Sequence, residues 1–344
     1  MHSMDSTPLT PYQPSSPKVN EGIQSLLESE RNYLLKNLLE HPIKDDSGLN
    51  DIQLLPAQQS VAIAHVGIER FRIPLIFPHP FGPLNHDTQA SLFVNLRPGK
   101  TGLNMSRMVE FIQQETNGKV ITPRFISEIT TVLRNVMVDS LVESPLEWSK
   151  ISLKFPYVLK QVSLKSEKWG WQYYDCELTA IHKLGKDQVF LTLHYEYSAT
   201  CPCALSMAKQ YESEFSSGLR RDGLGVAVAH SQRALAQITI ELSSESILQD
   251  NFFFPELINL IKIAIPTETQ VLAKRIDEQA FAILNGSNPM FVEHASKYLH
   301  QTLETENKII DWYAKLTHFE SLHSHNATAE IFKGIPEGLR GPVS

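Results

Sequence analysis

Cysteine is scarce in this chain. Only three stand among 344 residues, and Cys176 is remote from Cys201 and Cys203. An odd count with that spacing argues against a disulfide framework and points to a reducing, cytoplasmic setting. Uninterrupted apolar runs of about 18 residues are missing, so no membrane span is expected. The opening "MHSMDSTPLTPYQPSSPKVN" lacks a basic region followed by an apolar one, so no secretion signal is expected either. Lys and Arg never gather into a block, and 31 of them against 38 Asp and Glu leave a net charge of −7. Duplex nucleic acid is therefore excluded as an expected partner, whereas a small anion such as a nucleotide needs only a local basic cluster. Gly-rich dinucleotide and phosphate-loop fingerprints are absent too, which removes the commonest doubly wound nucleotide folds.

What is present reads as α+β. Residues 1–20 are rich in Pro, Ser and Thr, a composition that predicts disorder. Ile23, Leu26, Leu27, Leu34, Leu35 and Leu38 recur at near-helical spacing, and a linker follows. From Val61 the order is β-like stretches, a helix carrying Met105, Met108, Val109 and Ile112, a second helix opened by Pro123, and three more β-like stretches at 151–162, 169–181 and 188–197. In the last, Leu191, Leu193, Tyr195 and Tyr197 alternate with Thr192, His194 and Glu196, as one buried sheet face requires. A second body repeats this order: strand "ALAQITIEL", helices "FPELINLIKIAI" and "NPMFVEHASKYLHQTLE", and strand "IIDWYAKLTHFES". Strands, two helices, then strands, twice over, predict antiparallel sheets with helices packed on one face.

Several short stretches carry chemistry. In "EYSATCPCALSM", Cys201 follows directly on a strand, and two thiols around one proline suit a soft or borderline divalent cation or a nucleophile. The pair is not a closed zinc knuckle, and two small buried residues explain it equally well. His230 sits at a break between apolar alternating runs, where a core or capping role is the commoner one. Lys274, Arg275, Asp277 and Glu278 cluster in "AKRIDEQ", which taken alone reads as a solvated helix start. Glu293 lies within an apolar helical pattern, and "HFESLHSHNATAE" offers Glu320, His323 and His325. His-x-His on a strand would turn both rings to one side.

Taken together, "GKTGLNMSRMVEF", "YSATCPCALS", "AHSQR", "KRIDEQAFAILNGSNPMFVE" and "ESLHSHNA" resemble the prokaryotic GTP cyclohydrolases of type IB, in order, from about Val61 to Ala329. The resemblance implies tandem tunnelling-fold (T-fold) modules: an N-terminal extension over 1–58, a first module over 59–200, a second over 201–335 and a tail over 336–344. It further implies a homotetramer with active sites at subunit interfaces. The implied reaction converts GTP and water to 7,8-dihydroneopterin triphosphate and formate, with a divalent metal (zinc, manganese or iron) as cofactor. Carried over individually, Cys201, His230 and Glu278 are the implied metal ligands. Glu293 is the implied anchor of the guanine ring, and His323 and His325 are the implied acid/base pair.

For the triphosphate, Lys100, Arg107, Arg233, Lys274 and Arg275 are the cations closest to the matched motifs. Salt bridging to Asp277 or Glu110 is their ordinary alternative. Two departures stand out: Ala204 replaces the usual serine after Cys-Pro-Cys, and the segment between Cys203 and His230 is long, including "QYESEFSSGLRRDGLG". Cys203 fits a spectator, an outer thiol, or a reversible disulfide partner of Cys201. A cyclic-phosphate-forming relative, a metal-free nitrile reductase and a pterin-binding protein with a structural metal are the rival readings. Three protein ligands leave a position for water and hence catalysis, whereas four mean structure.

Overall fold

The computed structural model describes residues 28–29, 56–138, 145–219 and 221–343. The chain divides into two compact units, Met1–Asp51 and Ile52–Ser344. Of the first, only Glu28 and Ser29 are described, both helical; the expected disordered start and the rest of the leucine-rich helix lie outside the described residues.

The second unit is built on one eight-stranded sheet in simple sequence order, every neighbouring pair antiparallel. Its strands are β1 (Ile63–Phe77), β2 (Leu84–Leu96), β3 (Trp148–Val162), β4 (Trp169–Lys183), β5 (Lys186–Thr200), β6 (Ser231–Leu242), β7 (Ile309–His318) and β8 (Ala327–Phe332). Helices α1 (Met105–Thr116) and α2 (Pro123–Val136) connect β2 to β3, and α3 (Pro202–Ser216) connects β5 to β6. Four helices, α4 (Ser244–Gln249), α5 (Phe254–Ala264), α6 (Arg275–Ser287) and α7 (Val292–Glu304), connect β6 to β7. The class is the α+β expected, with strands, helices and strands following one another twice.

Alternation explains the layering. Leu191, Leu193, Tyr195 and Tyr197 of β5 and Ala236, Ile238, Ile240 and Leu242 of β6 are all buried. They meet the buried faces of the helices, among them Leu257, Ile258 and Ile261 of α5 and Ala295 and Leu299 of α7. Each such large aliphatic side chain contributes about 1.5–3 kcal/mol when fully buried. Thr239 and Glu241 are buried as well, against the simple pattern. The reason is local: Phe190, Tyr313 and Leu339 form a small cluster on the other face, and Asp311 accepts the Leu339 N–H, so the C-terminal segment covers that end.

Asp250 ties the two halves together. Its carboxylate accepts from Thr122 Oγ1 and Arg124 N, both at 2.8 Å, at the start of α2. The residue itself sits at φ 47°, left-handed backbone that a short polar side chain tolerates.

The long segment between Cys203 and His230 begins inside the helix α3, because Pro202 takes the first helical position, where its missing N–H costs nothing. One sequence expectation is corrected. His323 and His325 are not on a strand; they lie in the β7–β8 connection, where serines and Asn326 break the pairing.

Candidate active site

β5, β6 and β7 end side by side, and their register assembles a set of functional groups there. Ala199 pairs with Gln232 and Thr200 with Ser231. One step further, Cys201 N donates to His230 O at 3.2 Å. The ladder thus sets Cys201 and His230 side by side on adjacent strands although they are distant in sequence. Side chains two residues apart share a face, so Tyr197 joins Cys201, and Gln232 and Ala234 join His230, on the buried, helix-covered side.

Cys201 is the N-cap of α3, and Ala204 N–H donates to its Sγ at 3.5 Å. That contact uses a backbone donor, so the alanine at this position leaves it intact. Cys203 is exposed and Cys176 buried; all three thiols are free. Burial pushes the Cys176 thiol well above its ordinary range, which leaves it inert.

His230 is held from one side. Its Nδ1 lies 3.1 Å from Gln232 Oε1, Gln232 Nε2 donates to Glu320 Oε1 at 3.2 Å, and Glu320 Oε2 stands 3.9 Å from the same ring nitrogen. The side chains of His230 and Glu320 are only 21% and 13% exposed. An amide whose nitrogen is committed to a carboxylate presents its oxygen to Nδ1–H, leaving the Nε2 lone pair for a ligand.

The next row of the sheet runs Tyr197, Ala234, His318. Tyr197 Oη and His318 Nε2 are 3.0 Å apart, both residues buried. Burial lowers the His318 pKa to about 4, opposed by the charge of Glu293. Glu293 is the exposed residue in the first turn of α7, whose preceding link is pinned to the end of β5 by Met290 N donating to Thr200 O at 3.0 Å.

Glu278 is exposed on α6, next to buried Asp277. Among the described residues, no three His, Cys, Asp or Glu stand together as a metal-holding group. Cys201, His230 and Glu320 all lie towards one end of the sheet, whereas Glu278 is on α6.

The basic residues divide. Asp277 takes bonds from Ser166 Oγ and from the backbone N–H groups of Lys165, Ser166 and Lys274, at 2.6–2.8 Å. The Ser166 hydroxyl first, then these amides, hold its carboxyl well below the usual carboxylate range. The carboxylate is thus occupied by other donors, and Lys274 and Arg275 project into solvent without an ion pair among the described residues. Arg233 points to the opposite face of the sheet, 3.9 Å from Glu196. Lys100 and Arg107 belong to the first half: Lys100 bridges to Pro56, and Arg107 Nη1 donates to Val138 O at 3.4 Å. His323 and His325 are exposed and stacked, with centroids 4.9 Å apart and planes 12° off parallel.

Gln232, His318 and Tyr197 were not singled out as site residues from the sequence. The period-two rule could have found them, since Gln232 shares a face with His230, and His318 with Glu320.

A family model described as "Type I GTP cyclohydrolase folE2" matches residues 49–329. A curated relative named GTP cyclohydrolase FolE2, from Cereibacter sphaeroides, is 35% identical over 293 residues, covering 84% of this chain and 76% of that protein. Its namesake in Dinoroseobacter shibae is 35% identical over 276 residues, covering 79% and 70%. Among solved structures, the uricase from Arthrobacter globiformis aligns with a TM-score of 0.46 at 6% identity, over 86% of this chain and 98% of that one.

Proposed function

Because the chain belongs to the type I GTP cyclohydrolase FolE2 family, we propose that the ends of β5, β6 and β7 form the site at which it hydrolyses GTP. The products are 7,8-dihydroneopterin triphosphate and formate, at the entry to tetrahydrofolate and related pterins. The observation that carries this placement is the meeting of Cys201 and His230 through the β5–β6 ladder.

A thiol and an imidazole with its second nitrogen engaged are a donor set that fits a borderline divalent cation such as zinc, with manganese and iron as other candidates. Glu278 is the third ligand by family pattern. Glu320 is a second reading for that role, favoured by its 3.9 Å approach to His230. Bound there, the cation would lower the pKa of a water molecule and so supply a nucleophile at neutral pH.

The remaining steps belong to the protein's own side chains. Glu293 accepts the guanine N1–H and 2-amino hydrogens as a bidentate pair, a pattern that adenine does not offer. His323 and His325, exposed beside Glu320 on the same connection, give and take protons at the imidazole nitrogens as C8 becomes tetrahedral and C8–N bonds break. Lys274, the N-cap of α6, and Arg275, its first residue, meet the triphosphate. On the family resemblance we favour a homotetramer with interfacial sites, in which Lys100, Arg107 and Arg233 would serve a site shared with a neighbouring subunit. No helix among the described residues is long and apolar enough to cross a membrane; we place the enzyme in the cytoplasm, where free thiols persist.

Cys201→Ala and His230→Ala test the assignment: each should lose metal-dependent formate release while remaining folded. Wild-type release by either variant would refute it.

A further inference from the structure

His318 is used by none of the roles above, yet its surroundings define one. It is 2% exposed, and Tyr197 is fully buried. Tyr197 Oη has one hydrogen-bond partner among the described residues, His318 Nε2 at 3.0 Å. A buried hydroxyl keeps its proton engaged, so the arrangement that strands no donor has Tyr197 O–H donating to Nε2. The imidazole proton then sits on Nδ1. That nitrogen carries hydrogen whether the ring is neutral or charged, and it has no partner among the described residues.

The fold sets this residue at a definite place. His318 is the last residue of β7, and α7 packs on β7 and β8 after the link before it is fastened to the end of β5. The first turn of α7, with Glu293, therefore stands over the end of the strand where His318 lies. Glu293 is the charge that acts on the His318 ring.

The ring edge that a carboxylate reads through N1–H and the 2-amino group carries one more polar atom, the carbonyl O6, which accepts only. A carboxylate cannot serve it. Resting on the reading of Glu293 as guanine anchor, we propose that His318 Nδ1–H, its tautomer fixed by Tyr197, donates to guanine O6 and so selects 6-oxopurines. The substrate class is thereby narrowed to purines with a carbonyl acceptor beside N1–H.

Two GTP analogues separate the contacts. 6-Thio-GTP keeps N1–H and the 2-amino group and replaces O6 by a weak acceptor; inosine triphosphate keeps O6 and loses the 2-amino group. The readout is kcat/KM for pterin formation by the metal-loaded protein, with thermal unfolding as the check on folding. Wild type should prefer GTP to 6-thio-GTP on the order of tenfold, the effect of one hydrogen bond in a water-excluded site. His318→Phe should bring that ratio near one while leaving the GTP/inosine triphosphate ratio unchanged, and His318→Asn, which retains a donor near the Nδ1 position, should restore part of it. Glu293→Gln should do the reverse, narrowing only the inosine ratio. No preference in wild type, or an unchanged GTP/6-thio-GTP ratio in folded His318→Phe or in folded Tyr197→Phe, overturns the His318 assignment. An unchanged inosine ratio in Glu293→Gln instead removes the anchor reading beneath it.

Discussion

Replacing Gln232 by leucine should weaken metal binding without touching a ligand. Gln232 is 7% exposed and makes two bonds, from His230 Nδ1 at 3.1 Å and to Glu320 Oε1 at 3.2 Å. Leucine fills nearly the same space and supplies neither. The imidazole then turns freely and loses the partner that keeps its proton on Nδ1, so Nε2 is no longer the committed donor. Loss of such an outer contact typically costs about 10–100-fold in metal affinity. Stability should fall by about 1–3 kcal/mol, since Glu320 also loses a partner; its 13% exposure and that of His230, at 21%, admit some water and favour the lower end. Competition with a chromophoric chelator at fixed pH reads the affinity, and thermal unfolding of the metal-free protein reads the stability. A folded Gln232→Leu protein that binds zinc as tightly as wild type would refute the idea that the amide sets the tautomer of His230.

Two further outcomes follow from the same geometry. Glu278→Gln and Glu320→Gln, compared by metal stoichiometry, should separate the two carboxylates: the true third ligand loses bound metal, whereas the other retains it at reduced affinity or unchanged. Asp277→Asn should lower the melting temperature at pH 7. The native carboxyl is held below its unfolded value by Ser166 Oγ and three amides, so its contribution is present above the unfolded pKa near ~3.9 and fades as pH falls through the native one. The gap between wild type and variant should therefore close on acidification below about pH 4; a gap independent of pH would show that packing, not charge, is lost.

Much of the fold is legible in the residues themselves. The alternation of Leu191, Leu193, Tyr195 and Tyr197 specifies β5, and Pro123 marks the start of α2, as observed. The helix α3 is not among the elements read from the sequence, although a proline one residue after a capping side chain marks a helix start. The site was partly legible. Cys201 and His230 stand out as residue types, but their meeting depends on β5–β6 register, which a sequence spacing does not contain. Gln232 and His318 look like ordinary strand residues until the neighbouring strands supply Glu320 and Tyr197. Arg233 illustrates the converse: one residue from Gln232 in sequence, it faces the opposite side of the sheet beside Glu196.

The central claim is tested most directly with GTP carrying carbon-13 at C8. Incubated with the zinc-loaded protein and followed by NMR, the label should leave the purine and appear in formate, one equivalent per pterin formed, and Cys201→Ala should leave it in place. Label that stays in the purine or in a ring-opened formyl product with the fully metallated wild-type protein, or formate formed equally well by Cys201→Ala, would contradict the account.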